Sequence, residues 1–278
     1  MKDLYSDVSY KCSKLVTNNY STSFSLGVSL LHRDFIMPIH AIYGFVRLAD
    51  EIVDTFHGHD KKELLDRFIA DTHTAIQEKI SLNPILHSFQ DTVNTYNIDI
   101  ELIDTFLASM KMDLDKTNYN QDGYEKYILG SAEVVGLMCL RIFVEGDEQQ
   151  YQALKPDAMK LGSAFQKINF LRDLKADVQT LGRSYFPGFD VNNFNDITKK
   201  EIEADIQKDF DAGLRGIKKL PKKARLGVYL AYIYYISLFK KIERTAPEKV
   251  ISIRIRISDS KKYMLFLGAY FKHSFNSI

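Results

Sequence analysis

Two pairs of aspartates at helical spacing are the residues of this sequence best suited to chemistry. The first pair is Asp50 and Asp54 in the segment IYGFVRLADEIVD, and the second is Asp173 and Asp177 in NFLRDLKAD. Residues four apart lie on the same face of an α-helix. Mg²⁺ prefers oxygen ligands and commonly takes one or two carboxylates, which leaves its other positions for water and phosphate oxygens. The two pairs together predict a small metal cluster that grips a diphosphate from two sides.

Other polar side chains share the faces of these two carboxylate pairs. An arginine accompanies each pair, Arg47 in the first segment and Arg172 in the second. A guanidinium group matches phosphate oxygens with paired hydrogen bonds, so both arginines are predicted to add charge for a diphosphate. The other members of the two stripes, at spacings of three and four, are Tyr43, Gln166 and Asn169.

The helix that carries the first pair is predicted to be largely buried. Apolar residues cover most of its perimeter, and only Gly44, Glu51 and Thr55 leave a solvent strip. A carboxylate stripe beside core faces must line a cavity or pair with cations. The alternative is that Asp50 and Asp54 form the solvated side of an amphipathic helix.

The orientation of the second helix is open between two interpretations. Lys160, Lys167 and Lys175 fall roughly opposite the aspartates, so the aspartates point inward if the lysines mark solvent. Leu171 and Leu174 are mixed with these lysines and could mark the core instead. If both acidic stripes are solvated, the chain is a non-catalytic helical binding module.

Composition and charge predict a soluble protein of the cytoplasm. Lys plus Arg total 37 against 36 Asp plus Glu, so no global charge attracts nucleic acid. Cys12 and Cys139 are the only cysteines and lie outside metal-ligand spacing, which suits a reducing compartment. The N-terminus is too polar for a signal peptide, and the most apolar run, GVYLAYIYYISLF at 227–239, is shorter than a membrane span of about 20 residues.

The periodicity predicts a nearly all-helical single domain over residues 1–278. Only 6 prolines and 14 glycines interrupt 278 residues that carry apolar side chains at spacings of three and four. Residues 250–258, VISIRIRIS, alternate like a strand, but a lone strand has no sheet to join, so an extended connector is expected. The predicted helices cover 3–20, 35–56, 61–80, 83–96, 99–115, 122–145, 148–180, 198–219, 221–246 and 260–275.

These motifs resemble the squalene and phytoene synthase family of head-to-head prenyl transferases. The most specific segment is FQKINFLRDLKADVQTLGRSYFP at 165–187, in which an NxxRDxxxD helix precedes Arg-x-Tyr-x-Pro. Further likeness lies in YSTSFSLGVSLL at 20–31, IYGFVRLADEIVD at 42–54 and YILGSAEVVGLM at 127–138. The resemblance implies an all-α isoprenoid synthase fold around a central cavity and an enzyme that condenses two prenyl diphosphates.

The resemblance also implies roles for individual residues. Catalytic roles fall to Asp50, Asp54, Asp173, Asp177, Tyr43 and Tyr127. The four aspartates and Asn169 are expected to bind Mg²⁺ or Mn²⁺. Substrate-binding roles fall to Ser21, Ser23, Arg47, Gln166, Asn169, Arg172 and Arg183. Positions that depart from the family pattern are Thr22, Leu129, Glu133 and Lys249, and they leave the four aspartates intact.

The segment AEVVGLM and the short chain resemble bacterial members of the family that make phytoene. The expected reaction joins two geranylgeranyl diphosphates through a cyclopropylcarbinyl (prephytoene) diphosphate to 15-cis-phytoene, in carotenoid biosynthesis, and NADPH is not expected to be needed. The alternative is a C30 enzyme that makes dehydrosqualene or squalene from farnesyl diphosphate. The sequence does not indicate an oligomeric state.

The hydrophobic tails of the substrates and product favour weak association of the protein with a membrane surface. The expected location is peripheral, at the inner face of the membrane. The candidate segment is KKYMLFLGAYFKHSF at 261–275, in which Lys261, Lys262 and Lys272 surround aromatic and aliphatic residues. The alternative is an ordinary amphipathic core helix.

Overall fold

A computed structural model describes residues 4–115, 119–179, 185–188, 193–258, 260, 262 and 264–265, without the side chains of 115 and 176–179. Within these ranges the regular elements are helices, and no strand occurs. The helices are α1 Leu4–Tyr20, α2 Thr22–Ser29, α3 Arg33–Asp54, α4 Lys61–Glu78, α5 Pro84–Tyr96, α6 Ile100–Asp115, α7 Gln121–Ile128, α8 Val134–Phe143, α9 Glu148–Gln179, α10 Asp196–Lys219, α11 Lys222–Glu243 and α12 Pro247–Val250, and a π-helical segment, Leu129–Glu133, joins α7 to α8.

Side-chain caps explain where several helices begin. Ser21, Asp60, Asn83, Asn120 and Asn195 each accept a hydrogen bond from a backbone N–H in the first turn of the helix that follows. Such caps satisfy N–H groups that have no partner inside the helix. The predicted break before α5 and the predicted start of α7 are therefore confirmed to within one residue.

Two predictions of helix boundaries were wrong. No separate helix was predicted for residues 22–29, which form α2. Residues 122–145 were predicted as one helix, but the π-helical segment interrupts it. Gly130 explains the interruption, because an ideal Cβ there would lie 2.5 Å from the Cβ of Ser109 on α6. The backbone of the segment thus packs directly on α6, and π-helical turns of this kind often lie at functional sites.

Helix α3 runs through the core, as its apolar perimeter predicts. The Phe45 ring stacks on Phe89 of α5 with 3.8 Å between ring centroids, and it also contacts Phe106 of α6. The predicted solvent strip is wrong at Gly44, where an ideal Cβ would lie 2.8 Å from the Oγ of Ser13 on α1. The close approach of α1 covers this side of α3.

Helix α9 packs against α10, which decides the orientation that the sequence left open. Lys167 does not mark solvent, because its side chain is 8% exposed and pairs with Asp205 and Asp209 of α10. Leu171 and Leu174 are buried in the core, so the lysine and leucine side of α9 is partly internal. The stripe with Asp173 is consequently half-buried rather than fully inside.

Helices α2, α3, α8, α9, α10 and α11, with the π-helical segment, surround a cavity of about 360 Å³. Its walls are mainly apolar. The all-α fold around a central cavity is therefore confirmed. Residues 251–258 follow α12 with neither helix nor strand, so the connector predicted over 250–258 is confirmed except at Val250, which ends α12. No described helix has the length and apolar character needed to cross a bilayer.

Candidate active site

The last two turns of α3 carry the first acidic pair. The Arg47 guanidinium lies over the Tyr20 ring at 4.3 Å, with its Nη1 3.9 Å from Asp50 Oδ2. Its Nη2 donates to Glu51, which is only 15% exposed and so does not belong to the predicted solvent strip. The stripe predicted from spacing is present, and Glu51 holds Arg47 beside it. Asp54 is half-buried at the end of the helix.

Burial, with the smaller effects of the Asp54 and Asp113 carboxylates and against the opposing charge of Arg47, raises the pKa of Asp50 to about 7. The side chain keeps 32% of its surface exposed, at the rim of the protein rather than in its core. Crowded carboxylates of this kind favour a bound cation, because a cation removes their mutual repulsion.

The raised pKa of Asp50 predicts how stability depends on pH without metal. Folded Asp50 keeps its proton to about pH 7, whereas the unfolded chain releases it near 3.8. The folded state therefore binds more protons between these values, and its stability falls as pH rises through this window. In EDTA, raising the pH from about 5 to 8 should lower the melting temperature of the wild type by on the order of 5 °C more than that of Asp50→Asn.

The matched control is Asp34→Asn at the exposed start of α3, where the side chain is 54% exposed. Its melting temperature should follow that of the wild type across the pH range. Equal pH dependence in the wild type and Asp50→Asn would contradict the prediction.

The second acidic pair lies on α9, where Asp173 contacts two arginines. Arg172 donates from Nε to Asp173 Oδ2 at 3.0 Å and from Nη2 to the same oxygen at 2.5 Å. These two hydrogen bonds help raise the pKa of Arg172 against the opposing effect of burial. Arg254, in the connector after α12, places its Nε 2.6 Å from Asp173 Oδ1. This contact has the distance of an ion pair, but the buried Oδ1 accepts no hydrogen bond from any described residue.

The amide residues of the second stripe form a short chain across the cavity mouth. Tyr235 of α11 donates its hydroxyl to Asn169 Oδ1 at 3.2 Å, and Asn169 Nδ2 donates to Gln166 Oε1 at 3.4 Å. Gln166 and Arg172 line the cavity. The predicted stripe is therefore assembled from Gln166 to Asp173. The side chain of Asp177 and the whole of Arg183 lie outside the described residues.

The first motif also contributes to the lining of this cavity. Tyr43 of α3 lines it, and its ring stacks on Phe24 of α2 with centroids 4.8 Å apart. Ser21 and Ser23 line the wall beside it. Burial raises the pKa of Tyr43, and the charge of Tyr235 adds to this rise, which places the two phenols near each other. The two predicted motifs thus border one cavity.

Three buried polar atoms of the two motifs and the π-helical segment have no hydrogen-bond partner among the described residues. They are Arg47 Nε, Ser131 Oγ and Asp173 Oδ1. Ser131 belongs to the π-helical segment and lines the cavity. Buried polar atoms normally have a hydrogen-bond partner, so the Arg47 donor and the Ser131 hydroxyl, together with an Asp173 oxygen paired, within the described part of the chain, only with Arg254, indicate a binding site for a charged ligand.

Tyr127 is 5% exposed, but it is not among the described residues that line the cavity. Its hydroxyl donates to Asp113 Oδ2 at 2.7 Å. The hydroxyls of Tyr119 and Tyr185 lie 3.4 Å from Asp113 Oδ1. Tyr185 is the tyrosine of the Arg-x-Tyr-x-Pro segment. Tyr185 and Tyr127 of α7 therefore share the buried carboxylate of Asp113. The role of Tyr127 at the reacting groups stays a prediction.

Sequence reasoning missed Asp113, Arg254 and Tyr235. Asp113 follows Phe106 and Met110 at helical spacing on the buried face of α6. A carboxylate among apolar residues on such a face predicts a buried polar partner, so the sequence pattern could have identified Asp113. Arg254 and Tyr235 gave no comparable signal, because only the tertiary fold brings them to α9.

The donor set fits a divalent cation that prefers oxygen. Asp50, Asp54 and Asp173 offer carboxylate oxygens, and Asp173 Oδ1 is buried without a hydrogen bond from the described part of the chain. No three acidic, histidine or cysteine side chains within that part converge tightly enough to hold a metal by themselves. Mg²⁺ does not need such a cage, since it usually binds through one or two carboxylates plus phosphate oxygens and water.

Comparisons with known sequences support one family. The model of the squalene/phytoene synthase family matches residues 17–261. The chain is 28% identical to phytoene synthase 2, chloroplastic, of Solanum lycopersicum, over 96% of this chain and 91% of the relative. It is also 28% identical to the phytoene synthase of Arthrospira platensis, over 92% of this chain and 90% of the relative.

Solved structures support the same fold. A dehydrosqualene synthase in complex with ligand has a TM-score of 0.81 at 18% identity and covers 98% of each chain. The squalene synthase HpnC from Alicyclobacillus acidocaldarius has a TM-score of 0.75 at 21% identity, over 87% of this chain and 95% of that one. With the family match over most of its length, the chain belongs to the squalene/phytoene synthase family and is a prenyltransferase.

Proposed function

We propose that this prenyltransferase joins two geranylgeranyl diphosphates head to head to 15-cis-phytoene. The observation that carries the proposal is an apolar cavity lined by Ser131, whose buried hydroxyl has no hydrogen-bond partner among the described residues, with the charged residues Arg47 and Asp173 next in sequence to the lining residues Val46 and Arg172. A charged head group and a long apolar tail satisfy both features at once. The relatives named phytoene synthase support the product.

Diphosphate binding follows from the groups at the mouth. The Arg47 Nε has a free N–H within the described part of the site and can donate to a phosphate oxygen. Asp50, Asp54 and Asp173 would hold Mg²⁺, together with Asp177 and Asn169 as the resemblance implies. Bound Mg²⁺ would neutralise the charge that develops on the departing diphosphate. Arg172 can add positive charge to the same region.

The cavity walls protect the allylic cation that ionisation leaves behind. Apolar side chains exclude water, which would otherwise capture the cation. The stacked pairs Phe24–Tyr43 and Phe165–Tyr235 offer aromatic faces, and such faces attract cations. The double bond of the second substrate then attacks C1 of the first and loses a proton to form the cyclopropylcarbinyl diphosphate. A second ionisation, rearrangement and proton loss give phytoene.

The buried pair of Asp113 and Tyr127 supports the proton-transfer steps. Tyr127 donates its only hydroxyl proton to Asp113, so the phenol is held in one orientation. Asp113 also raises the pKa of Asp50, which places the pair beside the first acidic motif. We therefore infer that Asp113 positions Tyr127.

The length of the cavity favours the longer substrate. Helix α9 lines it from Leu154 to Arg172, a rise of about 27 Å for a straight helix. The main chain of a geranylgeranyl group extends about 18 Å at the rise per bond of an extended chain, against about 13 Å for a farnesyl group. A farnesyl tail would leave the deep end of the cavity empty.

A product assay decides between the C40 and C30 reactions. Purified protein with Mg²⁺ is incubated with geranylgeranyl or farnesyl diphosphate, with and without NADPH, and the product mass is measured. We expect a C40 product whose amount NADPH does not change and whose formation EDTA abolishes. Exclusively C30 product would support the dehydrosqualene or squalene alternative. No product from either substrate would favour a non-catalytic binding module.

Peripheral membrane association stays a proposal. It rests on the apolar nature of substrate and product, and the segment predicted to make the contact, 261–275, lies mostly outside the described residues.

A further inference from the structure

The cavity has a polar end and an apolar end, and α9 runs between them. Gln166 and Arg172 line the polar end, and Leu154 and Asp157 line the other. Phe143 at the end of α8 lines the cavity as well. Asp157 therefore lies about 22 Å from Arg172 along the helix, where the tail of a bound substrate should end.

Asp157 is the one carboxylate among the described residues that line this cavity. It lies on a wall of mainly apolar side chains, and its own side chain is 15% exposed. Burial of an unpaired carboxylate beside apolar surface carries a large cost in free energy, so a charged residue here calls for a reason.

The partner of Asp157 is Arg215 of α10. Arg215 Nη2 lies 3.3 Å from Asp157 Oδ1, and the arginine side chain is 63% exposed. The pair therefore bridges the deep end of the cavity and the protein surface. Next to it, an ideal Cβ on Gly216 would lie 2.7 Å from the Cβ of Asp157, so the two helices leave little other space here.

An apolar tail that reached this pair would strip water from the carboxylate and separate it from its arginine. We propose that the Asp157–Arg215 pair forms the floor of the tail cavity and limits the length of the prenyl chain that the enzyme accepts. The proposal rests on the proposed function, since it assigns the cavity to the tail of the prenyl diphosphate. Charge as well as volume sets the limit at this floor.

The first test compares substrates. Wild type, Asp157→Ala and Asp157→Asn are given C15, C20 and C25 all-trans prenyl diphosphates in competition, and kcat/KM is obtained from the products by mass spectrometry. In Asp157→Ala the ratio of C25 to C20 should rise about tenfold over wild type, the size expected when a pocket gains room for a few carbons. Asp157→Asn keeps the volume without the charge, so it should shift the ratio in the same direction by less.

The control is Asp66→Ala, which breaks a comparable ion pair between helices, Lys111 to Asp66 at 2.8 Å, away from the cavity. Its ratio should equal that of wild type. Folding of each variant is checked by circular dichroism. An unchanged ratio in a folded Asp157→Ala or Asp157→Asn would overturn the proposal.

The second test is independent of turnover. Titration calorimetry measures the affinity of linear alkyl diphosphates of increasing length, which should gain roughly fourfold per methylene until the tail meets the floor. In Asp157→Ala this gain should continue to longer chains. The same limiting length in wild type and variant would overturn the floor assignment, whereas a shifted limit without any turnover of prenyl diphosphates would overturn only the proposed function.

Discussion

Asp173→Asn is expected to lower kcat by about a thousandfold, the scale on which loss of a preorganised charged group affects catalysis. Asp173 joins Arg172 and Arg254 at the cavity mouth and keeps one buried oxygen without a hydrogen bond from the described residues. Asparagine keeps the shape but removes the charge that holds a divalent cation. The Mg²⁺ concentration for half-maximal rate should therefore rise as well.

Two further measurements separate loss of chemistry from loss of structure. Helicity by circular dichroism should be unchanged, because the Asp173 side chain keeps 22% of its surface exposed and makes no core contact that asparagine cannot make. Asp66→Asn, the same change on the exposed face of α4, should leave kcat as in wild type. An undiminished rate in Asp173→Asn would end the assignment of that residue to the metal site.

Asp113→Asn should lower kcat by about a hundredfold with little change in KM, the scale of general acid–base contributions. The Tyr127 hydroxyl would then donate to a neutral amide oxygen, and its orientation would be held less firmly. Because Asp113 also raises the pKa of Asp50, its loss should shift the acidic limb of the pH–rate profile to lower pH. A role in packing alone would not move that limb.

Tyr119→Phe is the matched control, since it removes the hydroxyl 3.4 Å from Asp113 Oδ1 and leaves the charge in place. Its pH–rate profile should coincide with that of wild type. If Asp113→Asn leaves both kcat and the acidic limb unchanged, Asp113 does not position Tyr127 for the reaction.

The sequence by itself determined the helical class, the two acidic motifs and the family. Spacings of three and four place Tyr43, Arg47 and Asp50 on one face of α3 whatever surrounds the helix, because helix geometry is local. The same holds for Gln166 and Asn169 on α9. These residues occupy the predicted stripes, and the roles assigned to them stay predictions until they are tested.

Helix starts were also predictable where a cap was present. Asn83 before Pro84 predicted the start of α5, because the Asn83 side chain accepts hydrogen bonds from backbone N–H groups in the first turn that have no partner inside the helix. Helix α2 was not predicted although Ser21 caps its start, because the helix is only eight residues long and its apolar residues show weak helical periodicity.

Tertiary structure alone decided which surfaces are internal and which distant residues meet. The sequence left open whether Lys167 marks solvent, and in the fold Asp205 and Asp209 of α10 neutralise it on a largely buried surface. Arg254 lies 81 positions from Asp173 in the chain, and Asp113 lies 72 positions from Tyr185. Periodicity describes one helix at a time, so it carries no information about contacts between segments that only packing brings together.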